Sequence, residues 1–231
     1  MKDRYTHIVP YMAMSTNKKN FKWLDKYPWR WLLSPFRPGG WRVEFNRFAG
    51  YAIDNGAFVY GKRGQPFDPD PFMRDVDRLG EGADWIVIPD VLCDKYATLE
   101  KADRWIERLD GLPLLLVAQD GMTKEELEPF CKKGIGIFVG GETEYKLSSI
   151  PWIASLCNKH NVLCHVGRVN TALRMDICIN NKAHSFDGSG MAIFQDTARL
   201  MTQKLMMLEN DMFPWNFSSI KKKYIRSRNE A

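Results

Sequence analysis

The chain has 231 residues, 45% of them hydrophobic, and a formal net charge of +5. This length and composition fit one domain with a sizeable core, and no apolar run approaches the ~20 residues that span a bilayer. The five cysteines include no Cys-x-x-Cys pair, which argues against a disulfide framework and a zinc knuckle. Because the N-terminus also lacks the apolar core of a signal peptide, a cytoplasmic protein is expected.

Charge is distributed unevenly along the chain. Residues 1–50 carry a net charge of +7 and residues 219–231 a net charge of +4, whereas the residues between them carry −6. A body of neutral to acidic character with two basic ends favours a polyanionic partner that binds near those ends.

Residues 1–50 are predicted to be irregular beyond a short apolar start at His7-Ile8-Val9, because prolines and glycines interrupt the rest. Aromatic and basic residues alternate in this segment, as in Phe21-Lys22-Trp23 and Trp29-Arg30-Trp31. Two interpretations stay open. In the first, the rings and cations form a nucleic-acid surface. In the second, the rings pack against the domain and the charges are solvated.

Six apolar runs follow, and most are apolar on both faces, as buried parallel strands are. An amphipathic stretch that predicts a helix follows each run. The predicted strands are 51–53, 85–88, 114–118, 135–139, 162–166 and 184–186, and the predicted helices are 71–79, 96–109, 123–132, 145–159, 170–179 and 191–209. The third of these helices opens with a predicted capping box, Thr123 with Glu126.

This alternation predicts an α/β protein, a (β/α)8 barrel that forms a single domain over residues 1–231 and is irregular at its N-terminal side. Residues 6–10 and 41–45 are the candidates for the remaining strands. A doubly wound open sheet is the alternative, although no Gly-x-Gly-x-x-Gly follows the first strand.

In a parallel barrel, the residues just past the carboxyl ends of the strands meet at one mouth. Here those residues are Asp54, Asp90, Gln119, Gly140, Gly141, Gly167 and Asp187. Two carboxylates across a pocket suit cleavage of a glycosidic bond, since one attacks the anomeric carbon and the other transfers protons. His165 and His184 are predicted to be packed strand residues, and no side-chain cluster predicts a metal site.

The ordered set of motifs over about residues 50–190 resembles the tRNA-guanine transglycosylases, and more closely their small relatives that act on DNA, the deazapurine DNA-modification (DpdA-like) proteins. Asp54-Asn55-Gly56-Ala57-Phe58 is similar to the family's D-S-G-G-F element, and Phe186-Asp187 is similar to its M-F-D element. The motifs between them are Asp90 after Ile86-Val87-Ile88, Val117-Ala118-Gln119-Asp120-Gly121 (V-Q-G-G), Phe138-Val139-Gly140-Gly141-Glu142 (I-G-G) and His165-Val166-Gly167 (M-G-V-G). The family's Cys-x-Cys-x-x-Cys…His zinc site is absent, so neither a metal nor a cofactor is expected.

The resemblance implies that Asp187 is a nucleophile and Asp54 a general acid/base. Asp90 and Gln119 would read the target base. Phe58 and the backbone of Gly140 and Gly141 would line the base pocket. Contacts to the nucleic-acid backbone are expected from Lys18, Lys19, Lys22, Arg30, Arg168 and Arg174.

The expected activity is cleavage of the N-glycosidic bond of a modified nucleobase in DNA, by a DNA glycosylase or a base-exchanging transglycosylase. Such an enzyme would serve phage DNA modification or antiviral defence. The alternatives are a transglycosylase that acts on tRNA, a sugar glycosidase, and a nucleic-acid-binding barrel without catalysis.

Overall fold

Eight parallel strands form a closed barrel in the computed structural model, which describes residues 8–13, 18–36 and 48–210. Each strand pairs with the next in chain order, and β8 pairs with β1 to close the barrel. The strands are β1 (Val9–Ala13), β2 (Arg30–Leu33), β3 (Tyr51–Ile53), β4 (Ile86–Val87), β5 (Leu114–Ala118), β6 (Gly136–Val139), β7 (Cys164–Val166) and β8 (Ser185–Gly188). The predicted (β/α)8 barrel is confirmed.

Helices connect most successive strands on the outside of the barrel. They are α1 (Lys18–Leu24), α2 (Ala57–Lys62), α3 (Pro69–Leu79), α4 (Lys95–Arg108), α5 (Lys124–Lys132), α6 (Thr143–His160), α7 (Ala172–Asn180), α8 (Gly190–Ile193) and α9 (Gln195–Asn210). The predicted capping box is confirmed, because the Thr123 side chain accepts from the Glu126 N–H while the Glu126 carboxylate accepts from the Thr123 N–H. No helix in the described part of the chain is long and apolar enough to cross a bilayer.

The prediction that residues 1–50 are irregular is wrong, because they contain α1 and β2. The alternation at Trp29-Arg30-Trp31 is the two-residue period of a strand, whereas Phe21-Lys22-Trp23 lies on α1. Trp31 points outward and stacks on Phe48 with 5.1 Å between ring centroids, whereas Arg30 pairs with Asp84. The second strand is therefore Arg30–Leu33, and the predicted strand at 41–45 lies outside the described residues.

The aromatic side chains of this segment favour the packing interpretation wherever the structure describes them. Trp29 and Trp31 are almost completely buried, and the Trp29 indole N–H donates to Thr202 Oγ1 on α9. Phe21 and Trp23 pack partly buried against the same core. Two cations, Lys22 and Lys26, lie over the Trp23 ring.

Two packed layers hold the barrel together. Inside it, Tyr11, Trp85, Val87, Leu115 and Val117 belong to a cluster that fills the lumen below the mouth. Outside it, the outward-facing side chains of the strands pack against the apolar faces of the helices. Above the filled lumen, a cavity opens at the carboxyl ends of the strands, where polar side chains replace apolar ones.

Candidate active site

A cavity of about 330 Å3 opens at the carboxyl ends of the barrel strands. This volume lies near the lower end of the range of small-molecule sites. The structure brings most of the residues expected from the sequence to this cavity, namely Asp54, Phe58, Asp90, Gln119, Gly140, Gly141, Arg168 and Asp187.

Asp54 follows β3 and is part-buried in the cavity wall. Its carboxylate accepts a hydrogen bond from the backbone N–H of Gly56 at 3.2 Å. Burial, together with the nearby negative charges of Asp187 and Asp90, raises the pKa of Asp54 to about 7. A carboxyl group with this pKa can donate and accept a proton near neutral pH.

The raised pKa of Asp54 predicts a stability effect. Because the folded-state pKa exceeds the usual value, ionisation destabilises the fold as pH rises from about 4 to 7, and the cost persists above pH 7. Asp54→Asn is therefore expected to raise the free energy of unfolding at pH 8 by about 1–2 kcal/mol more than at pH 4. This is less than half of the ~4 kcal/mol that three pKa units represent, since the carboxylate stays partly hydrated.

Thermal unfolding of both proteins at the two pH values measures this difference. The exposed Asp196 supplies a matched control, because Asp196→Asn removes one carboxyl group from the surface of α9 and leaves the cavity unchanged. An Asp54→Asn effect that does not depend on pH would show that the carboxyl group ionises in the folded protein as it does in water.

Asp90 is held by two side-chain amides. Asn55 Nδ2 donates to one carboxylate oxygen at 2.8 Å, and Gln119 Nε2 donates to the other at 2.5 Å. The Asn55 side chain also donates a hydrogen bond to the Ile88 carbonyl and accepts one from the Ala57 N–H. Burial raises the pKa of Asp90 to about 6, against the opposing effect of these amides. Gln119 thus orients Asp90, and its own oxygen accepts from the Cys93 N–H at 3.3 Å.

Asp187 lies at the end of β8 beside a buried histidine. His165 Nε2 donates to Asp187 Oδ1 at 3.0 Å, and His165 Nδ1 lies 2.8 Å from Ser185 Oγ. Since the carboxylate oxygen accepts, Nε2 carries the ring hydrogen, and Nδ1 accepts from the Ser185 hydroxyl. Burial lowers the pKa of His165, which favours this neutral form. The second oxygen of Asp187 takes no part in the contact with His165.

Exposure identifies the reactive end of this Ser185–His165–Asp187 chain. Ser185 and His165 are completely buried, whereas the Asp187 side chain is 12% exposed and lines the cavity. A serine nucleophile would need its hydroxyl in the cavity. The arrangement therefore presents a carboxylate to the ligand.

His165 is expected to act by positioning Asp187. His165→Phe fits the surrounding rings of Tyr11, Trp85 and Phe138 but removes the donor to Asp187. If Asp187 is catalytic, this change should lower kcat about 10–100-fold with little change in KM. His165→Gln keeps an N–H donor and should recover most of the loss. Equal kcat in the Phe variant and the parent would exclude this role.

Lys146 is a buried cation in the cavity wall, and no sequence motif marked it as functional. Its side chain donates to the Gly167 carbonyl at 2.7 Å, and the residue is only 4% exposed. Burial and the nearby Arg168 lower the pKa of Lys146 to about 8, while Asp187 opposes them. Lys146 thus supplies positive charge beside the Asp187 carboxylate.

Two consecutive glycines let the backbone after β6 approach the cavity. A side chain at Gly140 would place Cβ 2.7 Å from Val117 and 3.0 Å from the Ala118 carbonyl oxygen. Gly141 has a φ of 71° and would meet Asp120 and Tyr145. Only glycine fits both positions without movement of these neighbours.

Phe58 and Arg168 meet across the mouth. Phe58 lies on α2 after β3 and Arg168 lies after β7, so they come from opposite sides of the eight-stranded barrel. The guanidinium carbon is 5.3 Å from the ring centroid, and the guanidinium also donates to the Gly141 carbonyl. Arg168 has a φ of 60°, a backbone conformation that side-chain-bearing residues seldom adopt. The Arg174 guanidinium lies beside this contact and donates a hydrogen bond to the Arg168 carbonyl at 3.3 Å.

Lys19, Lys22 and Arg30, which the sequence also predicted for nucleic-acid contact, do not line the cavity. Lys19 and Lys22 are exposed on α1, outside the barrel, and the Lys18 side chain is not among the described residues. Arg30 begins β2 at the amino end of the barrel, where it bonds Asp84 at 2.5 Å. Because that end lies opposite the mouth, Arg30 is placed to stabilise the barrel and not to hold a substrate.

Three functional candidates were missed by the sequence arguments: Asn55, Lys146 and His165. Lys146 carried a detectable signal, because it falls on the helical stripe that contains Ile150, Ile153 and Cys157, all buried. His165 was correctly expected to be packed, but its bond to Asp187 depends on the register between β7 and β8. Among the described residues, no group of three His, Cys, Asp or Glu is arranged to hold a metal ion.

No protein-family model and no curated protein matches the chain. Among solved structures, a chain of the tryptophan synthase complex from Pyrococcus furiosus is similar, with a TM-score of 0.49, 14% identity, and coverage of 89% of this chain and 98% of that one. A mandelate oxidase variant with an FMN adduct is also similar, with a TM-score of 0.57, 11% identity, and coverage of 88% and 73%. At this identity the oxidase shows the fold alone, so the chain is a TIM-barrel protein.

Proposed function

We propose that the protein cleaves the N-glycosidic bond of a nucleobase in DNA, with Asp187 as the nucleophile and Asp54 as the general acid/base. The observation that carries the proposal is the shared cavity of these two carboxyl groups, in which the charge of Asp187 helps to raise the pKa of Asp54 to about 7. Environments that separate the roles of two carboxyl groups are typical of glycosidic-bond enzymes.

In the first step, the Asp187 oxygen that His165 does not hold forms a bond to C1′ of the target nucleotide. The bond between C1′ and the base nitrogen breaks, and its electron pair leaves with the base. Protonated Asp54 gives its proton to the departing base. The products are a free base and a sugar joined covalently to Asp187.

In the second step, an incoming nucleophile displaces Asp187 from C1′ and gives its proton to Asp54. Water would leave an abasic site, and a second base would complete an exchange. The neighbouring Lys146 offsets negative charge around Asp187 while the carboxylate is free.

The remaining groups of the cavity suit a flat heterocycle. Asp90, held by Asn55 and Gln119, offers a carboxylate that can accept hydrogen bonds from a base edge. Phe58, Val117 and Phe138 contribute apolar surface to the same cavity. A base inside a duplex must first be flipped out of the stack to reach these groups. The resemblance to the DNA-acting transglycosylases agrees with this choice of substrate.

Alkali cleavage distinguishes the substrates and the outcomes. The protein is incubated with unmodified DNA, DNA with modified bases, or tRNA. Strand breaks after alkali treatment are counted in the DNA samples, and free base is measured in the tRNA sample, because alkali cleaves the RNA backbone itself. We expect breaks in a DNA substrate, or incorporation of an added labelled base if exchange occurs. A reaction with tRNA alone would replace DNA by RNA in the proposal.

A further inference from the structure

A second and larger cavity, of about 610 Å3, lies on the side of the barrel beside α4. Its walls come from α2, the loop between α2 and α3, and one face of α4, and its floor is the loop after β4. Tyr60, Phe67 and Trp105 supply aromatic surface, and Phe67 contacts both of the other rings edge-on. We call this cavity the α4 groove.

Three cations of α4 line the groove: Lys101, Arg104 and Arg108. Their spacing of three and four residues puts them on one stripe that spans about 10 Å of helix. All three are exposed, and none forms an ion pair within the described part of the chain. Arg108 also lies over the Trp105 ring, 5.1 Å from its centroid.

The acidic residues of α4 occupy a different stripe. Glu100, Asp103 and Glu107 have the same spacing but are each displaced by one residue, or about 100° around the helix. Asp103 pairs with Lys133, which follows α5, on the side away from the groove. The helix thus separates its charges and presents the positive ones to the cavity.

The α4 groove adjoins the candidate active site. Asp90 and Leu92 line both cavities, so the short loop after β4 is their common wall. A ligand that lies in the groove would reach this loop within a few ångströms of the cavity that holds Asp54 and Asp187.

We propose that the α4 groove binds the sugar-phosphate backbone of the nucleic-acid strand that flanks the nucleotide in the catalytic cavity. The proposal rests on the proposed function for the choice of ligand. Lys101, Arg104 and Arg108 contact successive phosphates. The aromatic walls contact sugars and base faces, as in grooves for single strands. Three exposed cations, aromatic walls and a shared boundary with the catalytic cavity favour this ligand over a small anion.

The test compares two triple variants of the full chain. One replaces Lys101, Arg104 and Arg108 by glutamine. The matched control replaces Lys124, Lys132 and Lys159, on α5 and α6, by glutamine, which removes the same charge from side chains that neither line the groove nor pair with α4. Binding of a fluorescent DNA oligonucleotide is measured by anisotropy over a range of salt concentrations, and thermal unfolding confirms that both variants fold.

We expect the groove variant to bind DNA about 10–100-fold more weakly at moderate salt, with the slope of log K against log salt reduced by about 2–3. The control variant should change affinity less than about 3-fold and leave the slope unchanged. Equal binding by the two variants at every salt concentration would overturn the proposal. Displacement of the oligonucleotide by a mononucleotide at equal concentration would also overturn it, because the groove would then hold a small anion.

This experiment distinguishes failure of the groove proposal from failure of the proposed reaction. If the parent releases no base but the groove variant still loses DNA affinity, the groove remains a nucleic-acid site and the proposed reaction is wrong. If the parent releases base and the groove variant binds and reacts like the parent, the reaction stands and the groove assignment is wrong.

Discussion

Replacement of Asp187 by alanine is expected to lower the single-turnover rate of base release about 10³-fold or more. The nucleophile forms the bond to C1′, so its loss removes the reaction path and does not merely weaken binding. DNA affinity should stay within a few-fold of the parent, because Asp187 contributes only part of one cavity wall. Rapid-quench measurement of released base, with thermal unfolding of the same sample, checks both expectations.

Asp187→Asn is the matched variant, because it keeps the size and the contact with His165 while it removes the nucleophile. It should be as inactive as the alanine variant. The structure disfavours a helix-capping role for Asp187, since Ser189 is the N-cap of α8 and forms no side-chain cap bond. A rate near that of the parent in either variant would remove Asp187 from the mechanism.

Replacement of Asp54 by asparagine is expected to slow base release about 10²–10³-fold. Attack by Asp187 remains possible in this variant, but the departing base no longer receives a proton from Asp54. The amide has nearly the same size as the carboxyl group and can still accept from the Gly56 N–H, so the cavity should keep its shape.

The pH profile identifies the role of Asp54. In the parent, the rate of base release should fall as pH rises through about 7, because the acid that protonates the leaving base is then ionised. Asp54→Asn should lose this descending limb and retain a slow rate that varies little between pH 6 and 8. If the descending limb persists unchanged in the variant, another group donates the proton.

The barrel could be predicted because six of its strands can be recognised from their own residues, without knowledge of the neighbouring strands. Runs such as Leu114–Ala118 are apolar on both faces, which buried parallel strands require and few other structures share. The strand Arg30–Leu33 was missed because one of its faces carries Arg30, which is neutralised by Asp84 from a strand connection 54 residues further on. Only the closed barrel brings these two residues together.

The positions of the site residues could be predicted for the same reason, since every residue just past a parallel strand reaches the same mouth. The hydrogen bonds between these residues could not be predicted from the sequence. Gln119 was expected to read a base, but its amide holds Asp90, and Asn55, an inconspicuous neighbour of Asp54, holds the other oxygen. Such pairs depend on side-chain packing across β3, β4 and β5, which no local pattern specifies.

The α4 groove shows a second reason for incomplete prediction. Helix α4 carries four basic and three acidic residues, so its composition gives little sign of a basic surface there. Their separation into two stripes is visible from the helical period, but only the barrel shows that the positive stripe borders the cavity next to Asp90.

Free nucleobases released into solution test the central claim most directly. The parent protein and Asp187→Ala are each incubated with DNA that contains modified bases, with unmodified DNA, and with tRNA, and the small molecules that pass a filter are identified by mass spectrometry. We predict that the parent releases one kind of base from a DNA substrate and that Asp187→Ala releases none above background. A parent protein that binds these nucleic acids but releases no base from any of them would contradict the proposed function.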